Sequence, residues 1–151
     1  MINHCSIFNK STGEIVQYSY FDCPDDVEQV GRNHYARLLM WGIDTHDFIE
    51  EFSSPSTHYV VFELGVWKII PKPPLRVIAN KLTLVANGTD SITLTGLPNP
   101  CSVISDPEEP EEERMTVDGG GFIFTAENPG KYRFRIERFP FLPLDLEFTA
   151  T

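Results

Sequence analysis

Residues 81–150 break into short β-forming runs, "KLTLVA", "SITLTGL", "CSVIS", "RMTVD", "GFIFTA", "KYRFRIE" and "LDLEFTA", separated by turn residues. No other feature narrows the fold so far. Each run is too brief for a stable helix, and together they have the number and spacing that two packed antiparallel sheets require. Asn87-Gly88 and Gly119 to Gly121 fall between runs, where positive φ is cheap. Asn87-Gly88-Thr89 also matches a glycosylation sequon, but a hairpin turn is the preferred reading.

Within "KYRFRIE" the pleat sends Tyr132, Phe134 and Ile136 to one face and Lys131, Arg133 and Arg135 to the other, as a half-buried strand demands. Pro129-Gly130 directly before Tyr132 matches the corner between the fifth and sixth strands of an immunoglobulin-like sandwich, where the Tyr hydroxyl bonds back to upstream backbone. Phe134 stands two places after that Tyr, where antibody domains carry a cysteine. A sandwich without a disulfide is the expectation.

The first half has a different texture. "CSIFNKSTGEIVQYSY" reads as a hairpin turning at Ser11, Thr12 and Gly13. Pro24, Asp25 and Asp26 suit a helix start, apolar residues follow at roughly helical spacing from Val27 to Leu39, and Gly42 suits a stop. "DTHDFIEEF" is consistent with a further helical turn capped by Asp44 or Thr45, and "STHYVVFELGVWKII" with a hairpin turning near Glu63 to Gly65. "PKPPL", residues 71–75, cannot join a sheet ladder and favours a stiff connector. The expected architecture is therefore an α+β unit over residues 1–72, acting as a small docking domain, followed by an all-β immunoglobulin-like sandwich over residues 73–151.

A 151-residue chain that is 41% hydrophobic and 12% aromatic can build real cores. Its formal charge of -10 argues against nucleic acid as a main partner, because phosphate binding needs a basic footprint. Cys5, Cys23 and Cys101 cannot all pair and show no C-x-x-C spacing, so reduced buried thiols are expected, with no metal. The opening residues lack the basic start and apolar run of a signal peptide, and no run has the length of a membrane span. Synthesis in a cytosol without membrane insertion is expected, which leaves the chain free to end elsewhere by assembly.

No nucleophile elbow, Walker loop or dinucleotide fingerprint occurs, so no catalytic residue and no cofactor is assigned and the chain is expected not to be an enzyme. A glycan hydrolase would need two carboxylates at set separation, and nothing marks such a pair. The stripe Lys131, Arg133, Arg135 and Arg138 could grip an acidic partner, although a solvated face cross-paired with carboxylates is the simpler account. "DPEEPEEER", residues 106–114, lacks the Gly-punctuated spacing of a calcium loop and reads as solvated. Of the scattered histidines only His46, in "DTHD", stands among ligand-type residues, and neighbours along a strand or helix point apart. Trp41 and Trp67 either anchor a partner or pack a core. "RFPFLPLDLEF" is more apolar than an exposed edge tolerates, so Phe139, Phe141, Leu142 and Leu144 are expected to be covered by the other domain or another subunit. The partner-binding candidates are Trp67, Phe139, Phe141 and Leu142.

"IFNKSTGEIVQ", then a helix, then "HYVVFELGVWKIIPKPPL", then "LPNPCSVISD", "NPGKYRFRIERFPFL" and a terminal "EFTAT", resembles small proteins encoded among the tail genes of bacteriophages. The first part is similar to tail-fibre-associated and tail-fibre-assembly proteins, in which a strand-turn-strand start and a "Y-V-x-x-G-x-W" hairpin recur. This chain departs from that pattern where Phe62, Glu63 and Leu64 replace the polar turn expected before Gly65, and in its longer "PEEPEEE" loop. The resemblance implies a virion component of the tail, tail fibre or baseplate, made in the host cytoplasm and present as a homo-oligomer or in multiple copies. It implies binding to other phage structural proteins and, through the immunoglobulin-like domain, to the host surface, where a glycan is a candidate ligand. The alternative is a cytosolic tail-fibre assembly chaperone absent from the mature virion.

Overall fold

The structure, a computed structural model, describes residues 2–22, 36–107 and 109–151. It is β-rich and divides into two compact units, Met1–Lys72 and Pro73–Thr151, with the division falling inside the proline run. Among the described residues helix is confined to 36–41. The expected helix from Pro24 to Gly42 otherwise falls at positions outside the described residues.

In the first unit, β1 (Ile2–Asn9) and β2 (Ile15–Asp22) form the expected hairpin. Asn9 shapes its turn: its Oδ1 accepts from the Ser11 N–H at 2.9 Å and the Ser11 hydroxyl at 2.6 Å, while its carbonyl accepts from the Gly13 N–H at 2.8 Å. Gly13 has φ +78°, and a Cβ there would lie 1.9 Å from the Val60 carbonyl oxygen. Only glycine fits both demands. Residues 46–49, expected as a helical turn, are instead β3 (His46–Ile49), paired antiparallel to β1 from Asn9↔His46 to Ser6↔Ile49. The polar caps Asp44 and Thr45 make helix competitive locally, but as a strand beside β1 Phe48 packs against the cluster of Cys5 and Ile7 and Ile49 against the Phe8 cluster, and tertiary pairing overrides the local preference.

The resulting sheet has the order β2-β1-β3. Alternation along β1 divides its apolar residues between the faces. Cys5 and Ile7 pack with Leu38 of the helical segment, whereas Phe8 packs with Ile15 and with Val60 of a separate hairpin. That hairpin, β4 (His58–Glu63) and β5 (Val66–Pro71), turns through Leu64 at φ 53° and Gly65 at φ 82°. Pro71, expected to stay out of any ladder, instead ends β5 opposite His58, because a proline is tolerated at the end of an edge strand, where the missing N–H costs no ladder bond. Positive φ at both central residues is the geometry that matches strand twist. Trp67 of β5 lies against the rings of Phe8 at 4.8 Å and Phe62 at 4.7 Å.

The second unit contains β6 (Ile78–Ala79), β7 (Thr83–Leu84), β8 (Ser91–Thr95), β9 (Cys101–Ser105), β10 (Glu113–Val117), β11 (Gly121–Thr125), β12 (Gly130–Glu137) and β13 (Leu144–Ala150). They form a five-stranded sheet, β10-β9-β12-β13-β7, and a three-stranded sheet, β11-β8-β6. Every run singled out in the sequence contributes a strand; β6 is additional, and β7 joins β13 in parallel. The Asn87-Gly88-Thr89 turn is not a hairpin: it carries the chain from β7 in one sheet to β8 in the other. Its Asn87 Oδ1 accepts from the N–H groups of Thr89 and Asp90 at 2.9 and 2.8 Å, a local turn that needs no strand pairing across it.

Both sheets contribute to one core around Ile92, Leu94, Val103, Phe134, Ile136 and Phe148. Phe124 of the smaller sheet meets Phe134 at 5.0 Å and Tyr132 at 5.0 Å, and Phe134 meets Phe148 at 5.8 Å. Complete burial of a side chain such as Phe148 contributes roughly 1.5–3 kcal/mol. The Tyr132 hydroxyl donates to the Asn128 carbonyl at 2.8 Å and closes the corner before β12.

Candidate functional site

The β12–β13 connection, residues 138–143, follows from its sequence: Pro140 and Pro143 bar ladder pairing, so the chain leaves β12 as a loop. The Phe141 N–H donates to the Arg138 carbonyl at 2.8 Å and the Leu142 N–H to the Pro73 carbonyl at 2.9 Å. These bonds hold the loop against the segment that enters the unit.

Two depressions flank the loop. One, of about 360 Å³, is lined by Phe139, Arg138 and Glu137 with Pro100, Cys101 and Thr116. The other, of about 330 Å³, is lined by Phe141 with Pro73, Leu75, Arg76, Leu97 and Pro98. The peptide bonds before Pro100 and Pro140 are cis. The rims are polar: Arg138 and Arg76 are exposed, and Glu137 is held by Arg114 at 3.0 Å. Apolar side chains in a shallow concavity with charges at the edge form a surface suited to another protein's side chain.

Phe139, Phe141 and Leu142 thus stand together, each half-buried, at this end of the second unit. Trp67 belongs to the first unit, where it is half-buried between Phe8 and Phe62. Among the described residues of that unit, the apolar side chains left most open are Leu64, 93% exposed at the hairpin tip, and Met40, 82% exposed in the helical segment; Phe62 and Val66 are exposed beside the tip. The signal for the tip was an apolar residue in a tight turn, where Asn or Asp is usual.

Three members of the basic stripe are matched across the sheet, while Arg138 lies past the end of β12. Arg135 donates to Asp145 at 2.7 Å, while Lys131 and Arg133 reach Glu147 at 3.1 and 3.2 Å. Arg135's hydrogen bond holds the Asp145 carboxyl below its usual range, and bonds from Lys131 and Arg133 do the same for Glu147. Trp41 donates from Nε1 to Gln17 Oε1 at 2.7 Å and lies 5.6 Å from the His46 ring, whose Nδ1 is 2.7 Å from the Thr45 hydroxyl. Among the described residues no group of three or more His, Cys, Asp or Glu side chains could hold a metal ion. Cys5 and Cys101 are free and buried; burial pushes the Cys101 thiol up and the Cys5 thiol up to about 11.

No family model matches the chain. No curated protein matches it. Among solved structures, a glycosyl hydrolase family 2 member from Bacteroides cellulosilyticus aligns over 98% of this chain and 21% of that one, at 11% identity and a TM-score of 0.36. The chain therefore spans about a fifth of that protein, and the likeness is too loose to bear on fold or function.

Proposed function

We propose that the protein is a structural, non-enzymatic component of a bacteriophage particle, associated with the tail, tail fibre or baseplate. In this reading its first unit is an α+β docking domain and its second an immunoglobulin-like domain that binds other virion proteins and, on the exposed particle, a host-surface glycan. Strand order supports the immunoglobulin-like reading: β11-β8-β6 opposes β10-β9-β12-β13-β7, the first strand divides between sheets as β6 and β7, and Tyr132 closes the corner before β12. The resemblance of "IFNKSTGEIVQ" and "HYVVFELGVWKIIPKPPL" to phage tail proteins supports the particle assignment.

The observation that carries a binding role is the loop end of the second unit. Phe139 and Phe141 line separate concavities on either side of one bonded loop, next to a proline-rich connector. Such a surface engages a partner without chemistry of its own.

Mass spectrometry of particles purified from the phage that encodes the chain, set beside the crude lysate, tests the proposal. A constant ratio to the other tail proteins through successive gradients is expected. Presence in lysate with loss from banded particles would replace it with the assembly chaperone.

A further inference from the structure

The second unit has two open sheets and therefore four edges, at β10, β7, β11 and β6. An edge strand presents unpaired N–H and C=O groups, and natural sheets blunt it with shortness, charge or proline. Three edges here are blunted. β6 and β7 are two residues each, the part of β13 that β7 leaves uncovered carries Asp145 and Glu147, and β10 carries Glu113 and Arg114 behind the acidic run 109–112. β11 is different: Gly121–Thr125, "GFIFT", is five residues long and holds no charge and no proline.

The face it belongs to is uncharged as well. No ionisable residue occurs in β11, β8 or β6, so the sheet presents Ser91, Thr93, Thr95, Thr125, Ile78 and Ile123 outward, on a chain whose net charge is -10. Ile123 is 66% exposed at the centre of the open strand, opposite Thr93 of β8, while Phe122 and Phe124 on either side of it pack into the core.

We infer that β11 pairs antiparallel with β11 of a second copy of this chain about a two-fold axis at Ile123, joining the two small sheets into one. Charge selects the occupant. A chain of net charge -10 meets a second copy of itself with least repulsion through an uncharged element, and the unguarded edge is such an element. The two-fold register sets Ile123 against Ile123, Phe122 against Phe124 and Gly121 against Thr125. Glu127 then falls opposite Gly119 and Asp118 opposite Asn128, so no like charges stand directly across. This pairing is independent of whether the chain is a particle component.

Sedimentation velocity of the full chain at roughly 0.1–1 mM, in the range of weak interfaces, tests it. A reversible dimer is expected, strengthened as salt screens the repulsion between the acidic copies. Ile123→Lys should weaken it at least about tenfold. In a Cys23→Ser background, Ile123→Cys should give a disulfide-linked dimer on mild oxidation, and Ile78→Cys, on the opposite edge of the same sheet, should not. A monomer throughout the range would overturn the inference, as would a dimer indifferent to Ile123→Lys. If circular dichroism shows Ile123→Lys to be misfolded, the cysteine pair decides: equal cross-linking at both positions, or at neither, overturns it.

Discussion

Single side chains set the conditions under which each unit holds together. Tyr132 donates its hydroxyl to the Asn128 carbonyl at a corner that is partly open to water. Tyr132→Phe is expected to cost about 1 kcal/mol in urea unfolding, the usual net worth of one such bond. Gly13→Ala should cost more, because the added methyl would meet the Val60 carbonyl while φ stays positive. Proteolysis within residues 58–71 should then rise as the β4–β5 hairpin loosens from the sheet. Cys5 supplies a pH signature: burial raises its thiol from 9.0 to about 11, so the folded state favours the neutral form. Its contribution is complete below pH 9 and is lost as pH rises from 9 to 11, where the unfolded thiol ionises and the folded one does not. Alkaline unfolding followed at Trp fluorescence should show that decline, and Cys5→Ala should flatten it. The acid side runs the opposite way. The lowered carboxyls of Asp145 and Glu147 stabilise above the ordinary carboxylate range, and that contribution disappears as pH falls through it; both are exposed, so the loss is small.

Elements were legible where the pattern was local and strong. The period-two alternation of "KYRFRIE" named its core face correctly, because Tyr132, Phe134 and Ile136 all enter the shared core. The turns at Ser11–Gly13 and Leu64–Gly65 were marked by glycines whose positive φ the structure uses. What failed was non-local. β3 is a strand only because β1 offers it a partner, and β6 is too short to show any period. The division of β7 and β8 between sheets is a property of the packed pair, and no dipeptide announces it. The loop end was visible as an apolar run from Phe139 to Leu142, but its two concavities depend on Pro73, Leu97 and Pro100, which lie far away in sequence. Leu64 provides a test at this scale. Its φ of 53° suits Asn better than Leu, so Leu64→Asn should stabilise the hairpin by about 0.5–1 kcal/mol, measured by thermal unfolding. If the exposed tip engages a partner, the same substitution should weaken that complex while the fold becomes more stable.

At the scale of the whole molecule, two compact units are joined by a proline run whose first residue, Pro71, ends β5 and whose Pro73 and Pro74 stand outside any strand. Each has its own buried core, so a fragment over residues 73–151 should fold alone, with β-type circular dichroism and one cooperative transition. Limited proteolysis of the full chain should cut within residues 71–75 before either core. The central claim is that this chain is a fixed part of a phage particle and binds its neighbours through the loop end of the second unit. Cryo-electron microscopy of the intact particle tests it most directly. The account predicts density for the chain in repeated copies, with Phe139, Phe141 and Leu142 against another protein. Particles that lack the chain, or that carry it with that loop facing only solvent, would contradict it.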